Sequence, residues 1–388
     1  MKKIAIVTRK MIAGGIEKAL ISMLEVLPKD EFEITLFVMA SGGEFERYIP
    51  EHVRVKCLYG EENSVKDKIL NSLKRGKLIG AIKILFNMFM SMKVKEVYKK
   101  EWYLSRILPK QEEEFDLAIA YHTPASFPVI YVSEHIRAKS KIAWIHSDVE
   151  VYKKELERYI EYYSNFEKIY CVSKDGKVKF DTQYPELKNK TDVFYNIINE
   201  NQIKSLASCG EAFNDNFDGI RILTVGRLTK EKGCDILPEI IDNIIKSGFD
   251  VKWYLIGDGE ERKYLNEKIE EMQLYDRLIL LGTKTNPYPY FKNCDIYVQP
   301  SRHEGYCITL AEAKRFNKPI ITTNFIGALE QIINNETGLI VNFDSREIED
   351  SIIKIINNES IRSKLIYNLK KLDYTRDYDI KKIYNLMK

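Results

Sequence analysis

Cysteine is scarce, with six among 388 residues, at 57, 171, 209, 234, 294 and 307, and no C-x-x-C pair. Histidine is scarcer still, five in all, with no paired metal-ligand spacing. A disulfide framework or a zinc site is therefore not expected, and a reducing cytoplasm suits the chain. Long apolar runs are also missing. The N-terminal run that ends before Arg9 is too short for a signal peptide and reads as a buried strand. No segment reaches the ~18 uninterrupted apolar residues of a membrane span. Neither sign of charge dominates, since 60 Lys+Arg face 57 Asp+Glu for a net +3, which argues against a dedicated nucleic-acid binder. Repeats and low-complexity tracts are absent. What is present is the 45% apolar, 30% charged composition of a folded protein, long enough for two or three domains.

The charge is unevenly spread. Between Ser64 and Lys110 stand twelve Lys/Arg and three Asp/Glu, a local +9 that leaves −6 for the rest of the chain. The same stretch holds Ile82, Ile84, Leu85, Phe86, Met88, Phe89, Met90 and Met92. Two readings stand. The stretch docks on anionic lipid with its apolar residues in the headgroup region, or it is a helical insertion whose lysines are solvated and whose apolar residues pack on the domain beneath.

Elsewhere short apolar runs alternate with amphipathic ones. Strands are expected at 3–8, 32–38, 53–58, 115–120, 140–145 and 167–172. The pattern restarts with Ile220–Val225, Val251–Ile256, Leu278–Leu281, Ile296–Val298, Pro319–Thr322 and Gly338–Val341. Helices are expected between them, among them Ile16–Leu27, Ile236–Ile245, Glu260–Met272, Glu304–Phe316 and Arg346–Ile356. Apolar runs without alternation mark parallel strands covered on both faces. Two such series predict an α/β protein of two doubly wound Rossmann-like domains, with ligands at the carboxyl ends of the strands. The polar run 199–217 reads as the linker. The domains are then 1–198, carrying the basic insertion, and 218–372, followed by a C-terminal helix over 373–388.

Three turns carry chemistry. Gly14-Gly15 precedes a helix start, where close backbone approach and N–H groups suit an anion or a sugar hydroxyl; a plain tight turn is the alternative. The element is not G-x-G-x-x-G, and Gly76-Lys77 has Asn71 where a P-loop needs its first glycine. The loop Gly226-Arg227-Leu228-Thr229-Lys230-Glu231-Lys232-Gly233 follows a strand, and its Arg227 and Lys232 pair a fork with a point charge, an arrangement suited to a diphosphate. Finally, Glu304 and Glu312 stand eight residues apart after another strand. An ideal helix would separate them by ~12 Å of rise and ~80° of rotation. Paired carboxylates accept bonds from hydroxyls, and the amides of Gly305–Thr309 between them would form an anion-binding helix start.

In this order, the Gly14-Gly15 turn, the G-R-L-x3-K-G loop and the E-x7-E element resemble the GT-B retaining glycosyltransferases, glycosyltransferase family 4 (glycosyl transferases group 1). The resemblance covers nearly the whole chain and is strongest over 220–342. It implies the GT-B fold: two Rossmann-like domains facing a central cleft, the C-terminal helix crossing back to the first. It also implies a nucleotide-sugar donor on the second domain and an acceptor on the first. Carried over, Arg227 and Lys232 grip the donor diphosphate, Glu304 the hydroxyls of the transferred sugar, and Glu312 the ribose. Backbone amides of Tyr306, Cys307, Ile308 and Thr309 meet sugar and phosphates, and Gly282-Thr283-Lys284 lies near the base. Many members have Phe where Tyr306 stands and Gly where Cys307 stands.

A lone histidine is more often structural than functional. His146, however, ends the strand Ala143-Trp144-Ile145 and could hold a sugar hydroxyl or phosphate. His303 reads as a neighbour of Glu304, and His52, His122 and His135 as structural. Asp377-Tyr378-Asp379 matches a metal-binding D-x-D only superficially, because it follows no strand. The expected activity is retaining transfer of a hexose-type sugar, expected to be UDP-linked, to an alcohol acceptor, a lipid-linked saccharide in bacterial cell-surface polysaccharide or capsule synthesis. Neither metal nor cofactor is expected, since Arg227, Lys232 and a helix start supply the positive field. No carboxylate stands out as a nucleophile, so front-face attack is the expected course. Two alternatives are a nucleotide-sugar epimerase and a non-catalytic binding protein of the same fold. The expected location is cytoplasmic, at the inner face of the cell membrane if the basic stretch docks there.

Overall fold

The computed structural model describes residues 1–59, 64–74, 76–108, 110–210, 212–372 and 380–387. Two compact units divide the chain, Met1–Ile197 with Asp377–Lys388, and Ile198–Arg376. The first unit holds β1 (Lys2–Thr8), β2 (Phe32–Val38), β3 (Arg54–Cys57), β4 (Glu114–His122), β5 (Arg137–Ile145), β6 (Lys168–Cys171) and β7 (Thr191–Val193). They form one parallel sheet in the order β3-β2-β1-β4-β5-β6-β7. Its helices are α1 (Gly15–Val26), α2 (Val65–Lys74), α3 (Leu78–Lys93), α4 (Val97–Ser105), α5 (Phe127–His135), α6 (Lys153–Leu156), α7 (Ile160–Tyr163) and α8 (Lys174–Gln183). Ile4 through Val7, Ile119 and Ile142 are wholly buried, as unalternating strands covered on both faces must be.

The second unit repeats the plan. Its strands are β8 (Ile220–Val225), β9 (Val251–Ile256), β10 (Leu278–Gly282), β11 (Ile296–Gln299), β12 (Ile320–Thr323) and β13 (Leu339–Val341), ordered β10-β9-β8-β11-β12-β13 and parallel. Its helices are α9 (Glu200–Ala207), α10 (Leu237–Lys246), α11 (Arg262–Glu271), α12 (Tyr288–Asn293), α13 (Ile308–Lys314), α14 (Ile326–Gln331), α15 (Ser345–Asn357) and α16 (Glu359–Lys370). Helix α10 buries Leu237, Ile240, Ile241 and Ile244, a stripe of helical period. Asp344 caps α15 by accepting from the amides of Arg346 and Glu347, and Asn358 caps α16 through Ile361. Thr224 of β8 donates to the Val298 carbonyl of β11 (2.7 Å) and accepts from the buried Trp253 indole of β9 (3.1 Å), satisfying the polar atoms inside this core.

Helix α17 (Ile380–Asn385) belongs to the first unit. Ile383 is fully buried, Tyr384 packs on Phe32 with ring centroids 5.1 Å apart, and Lys2 donates to the Met387 carbonyl (2.8 Å). The crossing back expected of the C-terminal helix is thus observed. The strand β7 was not anticipated, being three residues with little apolar content. Part of the expected linker, 200–207, forms α9. Asp377-Tyr378-Asp379 lies outside the described residues.

The basic stretch forms α2, α3 and α4. On α3 the buried positions are Ala81, Asn87 and Ser91, while Ile82, Leu85, Phe86 and Phe89 are more than half exposed. Its large apolar residues are therefore mostly turned away from the unit beneath. Among the described residues no helix is long and apolar enough to cross a membrane.

Candidate functional site

In an open parallel sheet, ligands bind where the strand order reverses, outside the carboxyl ends of the two strands that diverge. In the second unit that point lies between β8 and β11. The loop after β8 carries Arg227 and Lys232, and the loop after β11 carries Glu304. The two loops are joined there. Lys232 Nζ stands 2.6 Å from Glu304 Oε2, and both side chains are largely buried. Burial, the largest single influence, would lower the Lys232 pKa, but the charge and hydrogen bond of Glu304 together with Cys307 and Glu231 outweigh it and raise the pKa above its usual value. Ser301 donates to the other Glu304 oxygen (3.1 Å). Arg302 grips Asp235 with both guanidinium nitrogens (2.6 and 2.8 Å), and its amide donates to the Glu231 carbonyl. Gly233 makes this approach possible: its φ is +69°, and a Cβ there would lie 1.8 Å from the Pro300 carbonyl oxygen.

Glu304 is not on a helix. The helix expected from Glu304 starts only at Ile308, because Cys307 takes a left-handed φ of 60° that no helical turn allows. The ideal-helix separation of Glu304 and Glu312 therefore does not apply. Gly305, Tyr306 and Cys307 form the turn into α13, and Ile308 and Thr309 are its first residues. The Cys307 thiol is buried beside Glu304, both of which raise its pKa, so it stays protonated. A polar chain runs from the helix start to the carboxylate: Thr309 donates to Gln299 (3.1 Å), Gln299 to Ser301 (2.8 Å), and Ser301 to Glu304. Glu312 is 1% exposed and accepts a bond from the Tyr288 hydroxyl (2.7 Å). Arg227 is exposed and leans on Glu231 at 3.4 Å. Gly282 ends β10 at the sheet edge, two strands from the reversal, with Thr283 and Lys284 after it, and the Gly282 carbonyl accepts from the Gly257 amide (3.0 Å). Lys232, Glu304 and the α13 turn are therefore gathered at one point, while Gly282–Lys284 stands apart on the same sheet end. His303 is exposed.

In the first unit the order reverses between β1 and β4. Gly14 and Gly15 open α1 after β1. A Cβ on Gly14 would lie 2.4 Å from the Glu17 carboxylate, which folds back over the helix start. His146 directly follows β5 and packs on Tyr121, ring centroids 4.3 Å apart. Burial, with the neighbouring His122, pushes its pKa down to about 3, so it is a neutral imidazole at pH 7. His122 and Arg9, at the reversal itself, had no signal of their own in the sequence. Burial and the Arg9 charge push His122 down to about 3 as well. Arg9 pairs with buried Glu101 (3.2 Å), which accepts from Tyr159 (2.7 Å). Only knowing that β4 neighbours β1 could have singled out His122. His135 is stacked on Tyr131 and His52 is exposed. Among the described residues no three His, Cys, Asp or Glu are grouped to hold a metal ion.

Comparison with known proteins bears on this arrangement. The profile described as "Glycosyl transferases group 1" matches residues 212–372, the β8–β13 sheet with its loops. A glycosyltransferase of Methanocaldococcus jannaschii, itself uncharacterized, is 30% identical over 318 residues, covering 79% of this chain and 80% of the relative. The chain belongs to the glycosyl transferases group 1 family. The capsular polysaccharide biosynthesis glycosyltransferase CapM of Staphylococcus aureus is 33% identical over 160 residues, 41% of each chain. A Campylobacter jejuni enzyme named as an N-acetylgalactosamine-N,N'-diacetylbacillosaminyl-diphospho-undecaprenol 4-alpha-N-acetylgalactosaminyltransferase is 31% identical over 157 residues, 40% of this chain and 41% of that one. Among solved structures, a variant of S. aureus TarM in complex with fondaparinux, alpha-GlcNAc-glycerol and UDP superposes with a TM-score of 0.73 at 14% identity, covering all of both chains. HepE of Anabaena in complex with UDP-glucose gives a TM-score of 0.70 at 16% identity, covering 100% of this chain and 98% of that one. The fold of this glycosyltransferase is GT-B.

Proposed function

We propose that this glycosyltransferase is a family 4 enzyme that moves a hexose from a UDP-sugar to an alcohol on a lipid-linked saccharide, with retention and without a metal. The observation that carries the donor assignment is the Lys232–Glu304 pair, which spans the two loops at the strand reversal of the second sheet. A diphosphate arriving there competes with Glu304 for the ammonium. Lys232 and the exposed Arg227 take the phosphates and offset the charge that develops on the leaving UDP. Glu304, released, accepts bonds from hydroxyls of the transferred sugar, and Glu312 from the ribose. The Tyr306–Thr309 turn lends amides to sugar and phosphates, and Gly282–Lys284 lies against the base. On the first unit, Gly14, Gly15 and the neutral His146 hold the acceptor or the reacting sugar.

HepE with UDP-glucose and TarM with UDP support a UDP-linked donor. The capsular relative CapM supports a role in cell-surface polysaccharide synthesis, and the diphospho-undecaprenol relative a lipid-linked acceptor. Peripheral attachment through 64–110 at the inner face of the cell membrane fits such an acceptor. The test is turnover. Lys232→Ala and Glu304→Ala should each lower acceptor-dependent UDP release at least about a hundredfold while circular dichroism is unchanged. Near-normal turnover in both variants would end the site assignment, and UDP-sugar conversion without any acceptor would favour an epimerase.

A further inference from the structure

We propose that Gln299 is a positioning residue for the sugar-binding carboxylate: through Ser301 it holds one oxygen of Glu304 and leaves the other to pass from Lys232 to the transferred sugar. The inference rests on the donor reading above and adds to it a residue that touches no ligand itself.

Gln299 is the last residue of β11 and is 1% exposed. A parallel strand covered on both faces favours an apolar side chain there, since a buried amide costs free energy unless it is hydrogen-bonded. Here the amide is bonded at both ends. Tyr297, two residues earlier on the same strand face and wholly buried, donates to Gln299 Oε1, as does Thr309 of α13 (3.1 Å). Gln299 Nε2 donates to Ser301 Oγ (2.8 Å), and Ser301 donates to Glu304 Oε1 (3.1 Å).

The carboxylate sets the direction of this chain. Paired with Lys232, Glu304 can only accept, so the single proton of the Ser301 hydroxyl goes to it. The Ser301 oxygen then accepts from Gln299, which turns the amide nitrogen toward Ser301 and the amide oxygen toward the two hydroxyls. Thr323 of β12 braces the same loop by sharing its hydroxyl proton between the carbonyls of Gln299 and Ser301. Glu304 Oε1 is thereby held by a chain anchored in the sheet, whereas Oε2 faces Lys232 at 2.6 Å. Lys232 is the partner that a diphosphate draws away. One oxygen stays fixed while the other changes hands, so the carboxylate meets the sugar hydroxyl already oriented. An alkyl group in place of the amide would let the Ser301 hydroxyl rotate and would release the fixed end.

The experiment is donor kinetics with the full chain, beside calorimetric binding of UDP. The donor is whichever of UDP-glucose, UDP-galactose, UDP-N-acetylglucosamine and UDP-N-acetylgalactosamine the wild type turns over fastest. Gln299→Leu should lower kcat/KM for that donor about tenfold while the Kd for UDP stays within about twofold. In a Glu304→Ala background the same substitution should change kcat/KM by less than about twofold, because the group it positions is gone. Gln299→Glu, nearly isosteric, gives a second readout and decides alone if Gln299→Leu misfolds. Its carboxyl donates to Ser301 only when protonated, so kcat/KM relative to wild type should fall as pH rises from about 5.5 to about 8.5. Tyr297 and Cys307, both raised by burial, keep their protons over that range, and Lys232, also raised, keeps its charge. Four results would each overturn the inference and leave the donor site standing: wild-type kcat/KM in Gln299→Leu, the full loss in both backgrounds, a matching loss of UDP affinity, or a Gln299→Glu pH profile parallel to that of the wild type. A wild type that binds no UDP and turns over none of the four donors would overturn the donor reading, and the inference with it.

Discussion

Glu17 is 4% exposed on the first turn of α1, with its carboxyl folded over Gly14. Burial raises its pKa from the ordinary 4.5 to about 7. Between those values the folded protein holds a proton that the unfolded chain has released. Its contribution is therefore fully present below pH 4.5 and is lost as pH rises to 7. Glu17→Gln should raise the melting temperature at pH 8, equivalent to roughly 2–3 kcal/mol, and change it little at pH 4.5. An equal effect at both pH values, by thermal denaturation, would contradict this reading. The residue-scale features of the second unit have a different character. Lys232 and Glu304 neutralise one another at 2.6 Å, so neither is a buried unpaired charge, yet both can turn to a ligand carrying phosphate and hydroxyl together.

At the scale of elements, the loop after β8 and the loop after β11 depend on one glycine. Gly233→Ala would set a Cβ against the Pro300 carbonyl in a left-handed conformation, costing roughly 2–4 kcal/mol and moving Lys232. Gly248→Ala, also at positive φ but with open space around it, should cost about 1 kcal/mol by the same denaturation measurement. Similar losses in both would mean that the close approach to Pro300 is not what fixes the loop. The strands and their two series were legible because unalternating apolar runs such as Ile4–Val7 and Leu278–Leu281 have few other uses in an α/β fold. The start of α13 was not, because the E-x7-E spacing suits a helix throughout and nothing in the sequence marks Cys307 as left-handed. The strand β7 was too short and polar to read. His122 and Arg9 became visible only through strand order, which no local pattern encodes.

For the molecule as a whole, both sheets share one plan, reversing beside the first strand of each. In the first, Arg9, His122 and the Gly14-Gly15 turn lie at or beside the reversal; in the second, Lys232 and Glu304 do. The near-neutral total of +3 conceals a +9 segment whose helix exposes its apolar face, so the mean charge says little about what the surface meets. The central claim, that the β8–β11 reversal holds a UDP-sugar through Lys232 and Glu304, divides between donor parts. Heat protection reads both parts. UDP at a hundred times its Kd should stabilise the wild type by about 2.7 kcal/mol. UDP-glucose, or whichever UDP-sugar is used, should add a further increment. Lys232→Ala should lose the protection by UDP itself, whereas Glu304→Ala should keep it and lose only the sugar increment. Undiminished protection by UDP in Lys232→Ala, with the full sugar increment in Glu304→Ala, would contradict the account.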